Sequence, residues 1–466
     1  MREKVAQVET RAWILLGLVL GLFLAAIETT VVATAMPRVI ADLGGEHLYS
    51  LPFAFYLLLA TVSGPVWGRA SDLFGRRRLY LASSVVFLLG SGLSGASHSM
   101  AFLIGARMVQ GLGAGGLLAV TFTLVGELYS LQERSRIQGF LSGVWGVSGL
   151  VGPIVGGLIV DHTSWRWVFY LNIPFGLAAM ALVGRTYADL PRAVRPSLPV
   201  FSAVLFALGA GLFVYAMQIH GPALLAAGIV ALVGFGAFER RRSSPLIPLD
   251  TVRHPLIGRA FIGNLVAGMA FFGCATFVPL FGQAARGGTA TEAGILLAPM
   301  SVGWTVGSIL SARALPYRGP RSLSVAGAVG MIVGFGLWTV FVGARLWVLG
   351  ALLFVTGFGM GMLMLALIVS AQEESPREEL GIVTSLIQFA RNFGGAIGAG
   401  LMGALLGPSL VLGGHALYDA FWRVPLVAGV LAVGALLTAV GLPTGSVSRG
   451  SRSIKPLSVH PESDRL

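Results

Sequence analysis

The sequence predicts an all-α polytopic membrane protein, on three observations. Of its 466 residues, 55% are hydrophobic and only 11% are charged, where a soluble domain averages about 25% charged. Apolar runs of about 20 residues recur along the whole chain, the length a helix needs to cross about 30 Å of hydrocarbon. The runs are continuous rather than alternating, which indicates helices and not a barrel.

Fourteen spans follow in order: 13–37, 51–69, 79–97, 100–126, 137–160, 166–184, 197–218, 222–238, 260–283, 291–311, 322–343, 346–370, 381–408 and 420–441. Counting charges orients them. Of 32 Lys and Arg, Arg38, Arg166, Arg286, Arg345 and Arg423 fall outside, Arg107 and Arg391 fall within spans, and the remaining 25 fall inside when the N-terminus is cytoplasmic. Removing one span would reverse every later loop and spoil that asymmetry.

The chain thereby divides into a six-helix half (1–196), two extra spans with a basic cytoplasmic loop (197–259), a second six-helix half (260–442) and a disordered cytoplasmic tail (443–466). The halves repeat. "GRASDLFGRRRL" (68–79) aligns with "ARALPYRGPRSL" (312–323), and "GLGAG" (111–115) with "GFGMG" (357–361). Repeated halves around a central site are a common build of secondary transporters.

Composition also excludes classes. The net charge of +12 is spread over short loops as topology determinants are, so nucleic acid is not a partner. The single Cys274 permits no internal disulfide. Arg2, Lys4 and Arg11 resemble the start of a signal peptide, but the following apolar run is too long and Glu28 interrupts it, so it reads as an uncleaved first span. A metal cluster, a phosphate-cradling loop and a nucleophile triad are all missing from the pattern, so no enzyme and no cofactor is expected. The 65 glycines suit a membrane, where small residues let helices approach closely.

Four stretches carry chemistry. "AAIETTVVATAMP" (25–37) places Glu28 deep in the first span, about 22 Å from its start at 1.5 Å per residue. In "RMVQGLGAGG" (107–116), Arg107, Gln110 and Gly111 share one helical face. A charge in a span costs about 2.5–3.5 kcal/mol on insertion scales, so Arg107 either faces a partner or wet cavity or snorkels to the headgroups. The loop "GRASDLFGRRRLY" (68–80) needs Gly75 for its bend, and Asp72, Arg76, Arg77 and Arg78 can pair with other loops or with anionic lipid. It also reads simply as a positive-inside turn. The fifth span is lined by glycines and carries Pro153, which frees a backbone carbonyl.

Together these stretches resemble the major facilitator superfamily, and more narrowly its fourteen-span drug:proton antiporter family, the multidrug and quaternary-ammonium exporters. "ETTVVATAMP" is similar to that family's first-span signature, with Glu28 where Asp is usual. "GRASDLFGRRR" resembles its cytoplasmic loop, with Leu73 at a usual base. "GPIVGG" matches its antiporter signature, "WRWVFYLNIPFG" (165–176) its entry to the sixth span, and "QFARNFGGAIG" (388–398) its penultimate span.

The resemblance implies an inner-gate loop at Gly68, Asp72, Gly75, Arg76 and Arg77. It also implies an antiporter-motif helix with Gly149, Gly152, Pro153, Gly156 and Gly157, and proton coupling at Glu28 and Arg107. The expected activity is proton-driven export of small hydrophobic, often cationic compounds by a monomer in the bacterial cytoplasmic (inner) membrane, with membrane lipids as its surroundings. Export of one natural amphiphile, such as a lipid or siderophore, and a non-transporting receptor on the same fold are the alternatives. Glu28 and Arg107 are expected to face one cavity, with a neighbouring arginine favouring the carboxylate that burial disfavours. Candidate substrate-cavity residues are Tyr56, Trp145, Phe271, Phe272, Trp304, Met360, Met364, Gln388, Arg391 and Asn392, for each of which packing is an equal reading. Glu127, Asp161 and Glu292 lie at span ends and read as interfacial.

Overall fold

The computed structural model describes residues 2–129, 131–187, 189, 198–242, 245–247, 249–375, 380–412 and 414–442. The expected tail, 443–466, and the expected boundary at 196–197 lie outside the described residues. Sixteen helices follow one another: α1 (Arg2–Leu43), α2 (Leu51–Phe74), α3 (Arg76–Gly95), α4 (Met100–Leu128), α5 (Leu131–His162), α6 (Trp167–Tyr170), α7 (Asn172–Thr186), α8 (Val200–Gln218), α9 (Pro222–Glu239), α10 (Leu249–Arg253), α11 (Pro255–Leu280), α12 (Ala290–Val340), α13 (Leu346–Glu373), α14 (Leu380–Leu412), α15 (Gly414–Ala420) and α16 (Arg423–Val440). No strand occurs among the described residues.

Local chemistry sets the helix starts. Ser99 caps α4, its Oγ accepting from the Phe102 N–H at 3.2 Å. Thr289 and Glu292 form a reciprocal capping box on α12. Prolines sit in the first turn of α2, α9 and α11, where a missing N–H costs nothing.

Twelve helices among the described residues are long and apolar enough to cross a membrane. One of them, α12, has 51 residues, about 76 Å if straight at 1.5 Å per residue, far more than one bilayer. It is interrupted at Gly319, with φ 72 and ψ 162, into arms 290–318 and 320–340. Its repeat mate Gly75 joins α2 to α3 with φ 96 and ψ 140. Both glycines hold a left-handed, extended bend that side-chain-bearing residues rarely adopt. The sequence repeat is therefore a repeated turn. α14 adds a further 33-residue helix with a non-helical Gly407.

The second repeated motif is a packing device. Gly111 and Gly115 of α4 lie against the carbonyls of Tyr56 and Ala60 in α2, while Gly113 lies against the Phe87 backbone in α3. In the second repeat, Gly357 and Gly361 of α13 lie against the carbonyls of Met300 and Trp304 in the first arm of α12, and Gly359 against Gly327 in the second arm. Each fourth span of a repeat is thus wedged between the second and third at backbone distance, where any Cβ would collide.

One end of the bundle carries Arg76–Arg78, Arg185 and Arg240–Arg242 and is termed the basic end. At the opposite end the two repeats are joined by hydrogen bonds. Tyr49 Oη donates to the Thr276 carbonyl at 3.0 Å, and Gln283 Nε2 to the Thr34 carbonyl at 2.8 Å. The two additional helices, α8 and α9, sit beside this junction. Phe206 of α8 packs on Phe389 and Phe393 of α14 at 5.2 and 5.0 Å, and Gly211 approaches Phe55 of α2. Gln218 Nε2 reaches both Ser50 Oγ at 2.7 Å and the Gly400 carbonyl at 2.8 Å. α9 packs on α8 and leaves Val230 and Val233 exposed.

Replacing Gly113 by Leu should overpack the α3–α4 contact and cost about 1–3 kcal/mol or more. Gly105→Leu, at an exposed position where an added Cβ meets nothing within 4 Å, should leave stability unchanged. Thermal unfolding of the two detergent-solubilised variants checks this, and equal melting would contradict it.

Candidate functional site

Glu28 lies midway along α1 and Arg107 about two turns into α4, and neither exposes any surface. Arg107 Nη1 donates to Glu28 Oε1 and, at 2.6 Å, to Gln110 Oε1 one turn on. Its Nε reaches the Pro52 carbonyl at 3.4 Å. The other carboxylate oxygen, Oε2, accepts from Asn172 Nδ2 at 2.6 Å. Asn172 also donates to Ser91 Oγ at 2.9 Å, and Ser91 to the Phe169 carbonyl at 2.8 Å. The guanidinium stacks on the Tyr56 ring at 4.2 Å, and Tyr56 Oη donates to the Ala25 carbonyl at 3.3 Å.

The expectation of one cavity shared by Glu28 and Arg107 is corrected. The two side chains pair directly, closed from solvent, inside the first repeat. Tyr56, expected in the substrate cavity, is a wall of this pair. Asn172 and Ser91 escaped the sequence-based candidates. Asn172 stands inside the quoted "LNIPFG", and an amide two residues ahead of a helix-opening proline in an apolar run is the signal that marks it. Ser91 carries no such signal. Arg107 Nη2 and Gln110 Nε2 remain buried without a partner, two donors left over in an otherwise satisfied cluster.

At the basic end, Arg76 pairs with Glu127 and stands 3.5 Å from Asp72, and its Nη1 donates to the Thr123 carbonyl at 3.2 Å. Tyr187 Oη donates to Glu127 at 2.8 Å, and burial together with that carboxylate pushes the Tyr187 hydroxyl above its usual pKa. The Arg77 N–H donates to Asp189 at 2.8 Å, against which Gly75 also lies. Gly68 faces Ala119 on α4. The loop residues thus converge with Glu127, which spacing alone placed merely at an interface.

The glycines of α5 divide between two neighbours. Gly152 and Gly156 face Thr30 and Thr34 of α1, whereas Gly149 and Gly157 face Ser301 and Ala290–Thr291 of α12. The Pro153 carbonyl abuts Gly294. Two turns on, Asp161 caps α12, accepting from the N–H groups of Ala290 at 3.0 Å and Thr291 at 2.8 Å. Asp161 is therefore a latch between repeats as well as an interfacial acid.

The remaining candidates separate. Phe271, Phe272 and Trp304 form a three-ring cluster with centroids 5.0–5.7 Å apart. Arg391 lies 5.7 Å from the Trp304 ring, beside Met364 and Asn392. Gln388 is half-buried one turn before Arg391. Met360 is wholly buried in the core, and Trp145 packs on the first-repeat core, away from this cluster.

Residues 18–399 match the sequence model of the Major Facilitator Superfamily. The chain belongs to that superfamily. It is accordingly a multi-pass membrane transporter and not an enzyme. It is 29% identical over 407 residues to the multidrug transporter protein MdtP of Bacillus subtilis strain 168, covering 85% of this chain and 75% of the relative. It is 30% identical over 417 residues to multidrug resistance protein 3 of the same organism, covering 87% and 81%. Among solved structures, a bacterial homologue of the human lysosomal transporter Spinster, inward-facing and occupied, superposes with a TM-score of 0.68 at 16% identity, covering 92% of this chain and 96% of that one. A likeness at that identity is one of fold.

Two outcomes are expected. Arg107→Leu should destabilise the protein by about 3–5 kcal/mol, since it strands a buried carboxylate, and adding Glu28→Leu should recover most of the loss. Chemical unfolding of the single and double variants reads this, and additive losses would contradict it. Asp161→Ala should loosen the α5–α12 junction and raise thiol labelling of a Ser301→Cys reporter, which faces Gly149 across that junction, in a Cys274→Ser background. Unchanged labelling would show that the latch holds nothing.

Proposed function

We propose that this transporter exports small hydrophobic compounds, often cationic, in exchange for protons, and that it belongs to the fourteen-span drug:proton antiporters. The single observation that carries this reading is the Glu28–Arg107 pair, a titratable acid held by a cation and an amide in mid-membrane. The names of the two Bacillus relatives, a multidrug transporter and a multidrug resistance protein, support the substrate class. Fourteen spans result when the two arms of α12 are counted separately and α14 is added to the twelve. The two six-helix halves then flank α8 and α9. The basic end is cytoplasmic by the positive-inside rule, in a bacterial inner membrane. The protein acts as a monomer without a cofactor.

In the cycle we infer, the junction at Asp161, Gln283 and Tyr49 closes the outer side while the inner side is open. A proton delivered to Glu28 from outside neutralises the carboxylate and weakens its hold on Arg107 and Asn172. Those groups sit on α1, α4 and α7, so the change reaches three helices at once. Proton and substrate stabilise different arrangements of the repeats, and their exchange is coupled through that difference.

Reconstituted vesicles with an imposed pH gradient test the reading. Wild type should accumulate tetraphenylphosphonium, and Glu28→Gln should fall to the level of protein-free vesicles. Full gradient-driven uptake by Glu28→Gln would remove the coupling assignment. No flux and no substrate-induced proton release by wild type would favour a receptor instead.

A further inference from the structure

Arg391 presents a charge problem that Arg107 does not. It lies mid-way along α14 and is 8% exposed. None of the ion pairs among the described residues includes it. Its polar contacts are neutral: Nε donates to Asn392 Oδ1 at 3.1 Å and Nη1 to Met364 Sδ at 3.3 Å. A thioether is a weak acceptor and neither group carries a compensating charge. Acids on the surrounding helices stand at their ends, Asp72 on α2, Glu292 on α12, Glu373 on α13 and Asp419 on α15, and α8, α11 and α16 have none. The repeat offset carries Glu28 onto Phe272–Cys274, so the second repeat has no acid to offer where the first has one.

The surroundings suit an amphiphile. Trp304 lies 5.7 Å from the guanidinium carbon and stacks edge-on with Phe271 and Phe272. Trp304, Phe272 and Met364 are only half-buried, which leaves apolar surface beside the guanidinium. Gly268 of α11 lies against the Arg391 carbonyl and fixes the height of the cation relative to that wall. A guanidinium fork matches carboxylate and phosphate geometry, and its bonds to such groups are charge-assisted.

We propose that Arg391 and Trp304 form a subsite for the anionic headgroup of an amphiphilic ligand, with the ligand's apolar part against Phe272 and Met364. This adds an anionic oxyacid on a hydrophobic body to the cargo proposed above, at a subsite separate from any that takes a cation. Its meaning as cargo rests on the exporter reading above, but its binding does not, because no gradient or proton exchange enters the measurement.

The test is calorimetric titration of the purified full chain in neutral maltoside detergent. Decyl phosphate should bind wild type tighter than decyltrimethylammonium does. It should weaken by about tenfold or more in Arg391→Gln, the loss expected for charged hydrogen bonds, and by less in Arg391→Lys. Decyltrimethylammonium should bind Arg391→Gln at least as well as wild type. Displacement of decyl phosphate by inorganic phosphate identifies a free anion as the natural source, and weaker binding in phosphatidylglycerol than in phosphatidylcholine nanodiscs identifies a lipid headgroup. Equal affinity of wild type for the two decyl compounds overturns the proposal whether or not Arg391→Gln folds, as does unchanged decyl phosphate binding in a folded Arg391→Gln.

Discussion

A guanidinium in the middle of a helix bundle needs a counter-charge, and much of the first repeat is arranged around supplying one to Arg107. Glu28 brings α1 to α4. Asn172 then satisfies the second carboxylate oxygen and ties in α7, and Ser91 fixes the Asn172 amide from α3. Tyr56 of α2 covers the cation from the remaining side. Five helices meet at one ion pair. Low dielectric makes the pair strong, and the same low dielectric makes either partner costly alone. A proton arriving at Glu28, as proposed above, would act on all five helices at once.

Glycine makes such a meeting possible and also makes it movable. The wedged fourth span of each repeat contacts its neighbours through backbone rather than through interlocked side chains. A surface of that kind slides with little repacking, whereas knobs locked in holes do not. The glycines of α5 extend the property to the boundary between repeats, where Gly149 and Gly157 meet α12. Rigid-body rocking of one repeat against the other needs such a surface on one side and a releasable latch on the other. Asp161 has the chemistry of a latch: three hydrogen bonds at a helix N-terminus, made and broken without burying a charge.

The helical membrane class and the repeat were legible in the sequence because hydropathy and glycine spacing depend on local chemistry alone. Gly75 and Gly319 could be aligned before their shared backbone bend was known. Glu28 and Arg107 stood out for the same reason, as ionisable groups in apolar runs. Their direct pairing did not, since the rotation of one helix about another is set by packing between segments 79 residues apart. Asn172 and Ser91 are polar but uncharged, and such residues in spans most often bond their own backbone. Glu127 was underrated because its partners, Arg76 and Tyr187, lie 51 and 60 residues away along the chain.

The two repeats share a backbone plan and differ in charge, and the difference has a consequence for what each can do. In the first, cation and acid lie on separate helices and cancel while both are ionised, and a proton on Glu28 would leave the pair with the single positive charge of Arg107. In the second, the position equivalent to Arg107 is Leu353 and the region equivalent to Glu28 is aromatic and apolar, while Arg391 stands on a different helix with neutral neighbours. Nothing in the second repeat can be switched by protonation in mid-membrane among the described residues, because no acid lies there. Under the function proposed above, charge alone divides the labour: the proton would act in the first repeat, and electrostatic selection of a ligand would act in the second. On that reading the coupling is mechanical, carried by the contacts that join the repeats, α5–α12 and the Tyr49 and Gln283 hydrogen bonds among them, rather than by direct competition of proton and ligand for one carboxylate.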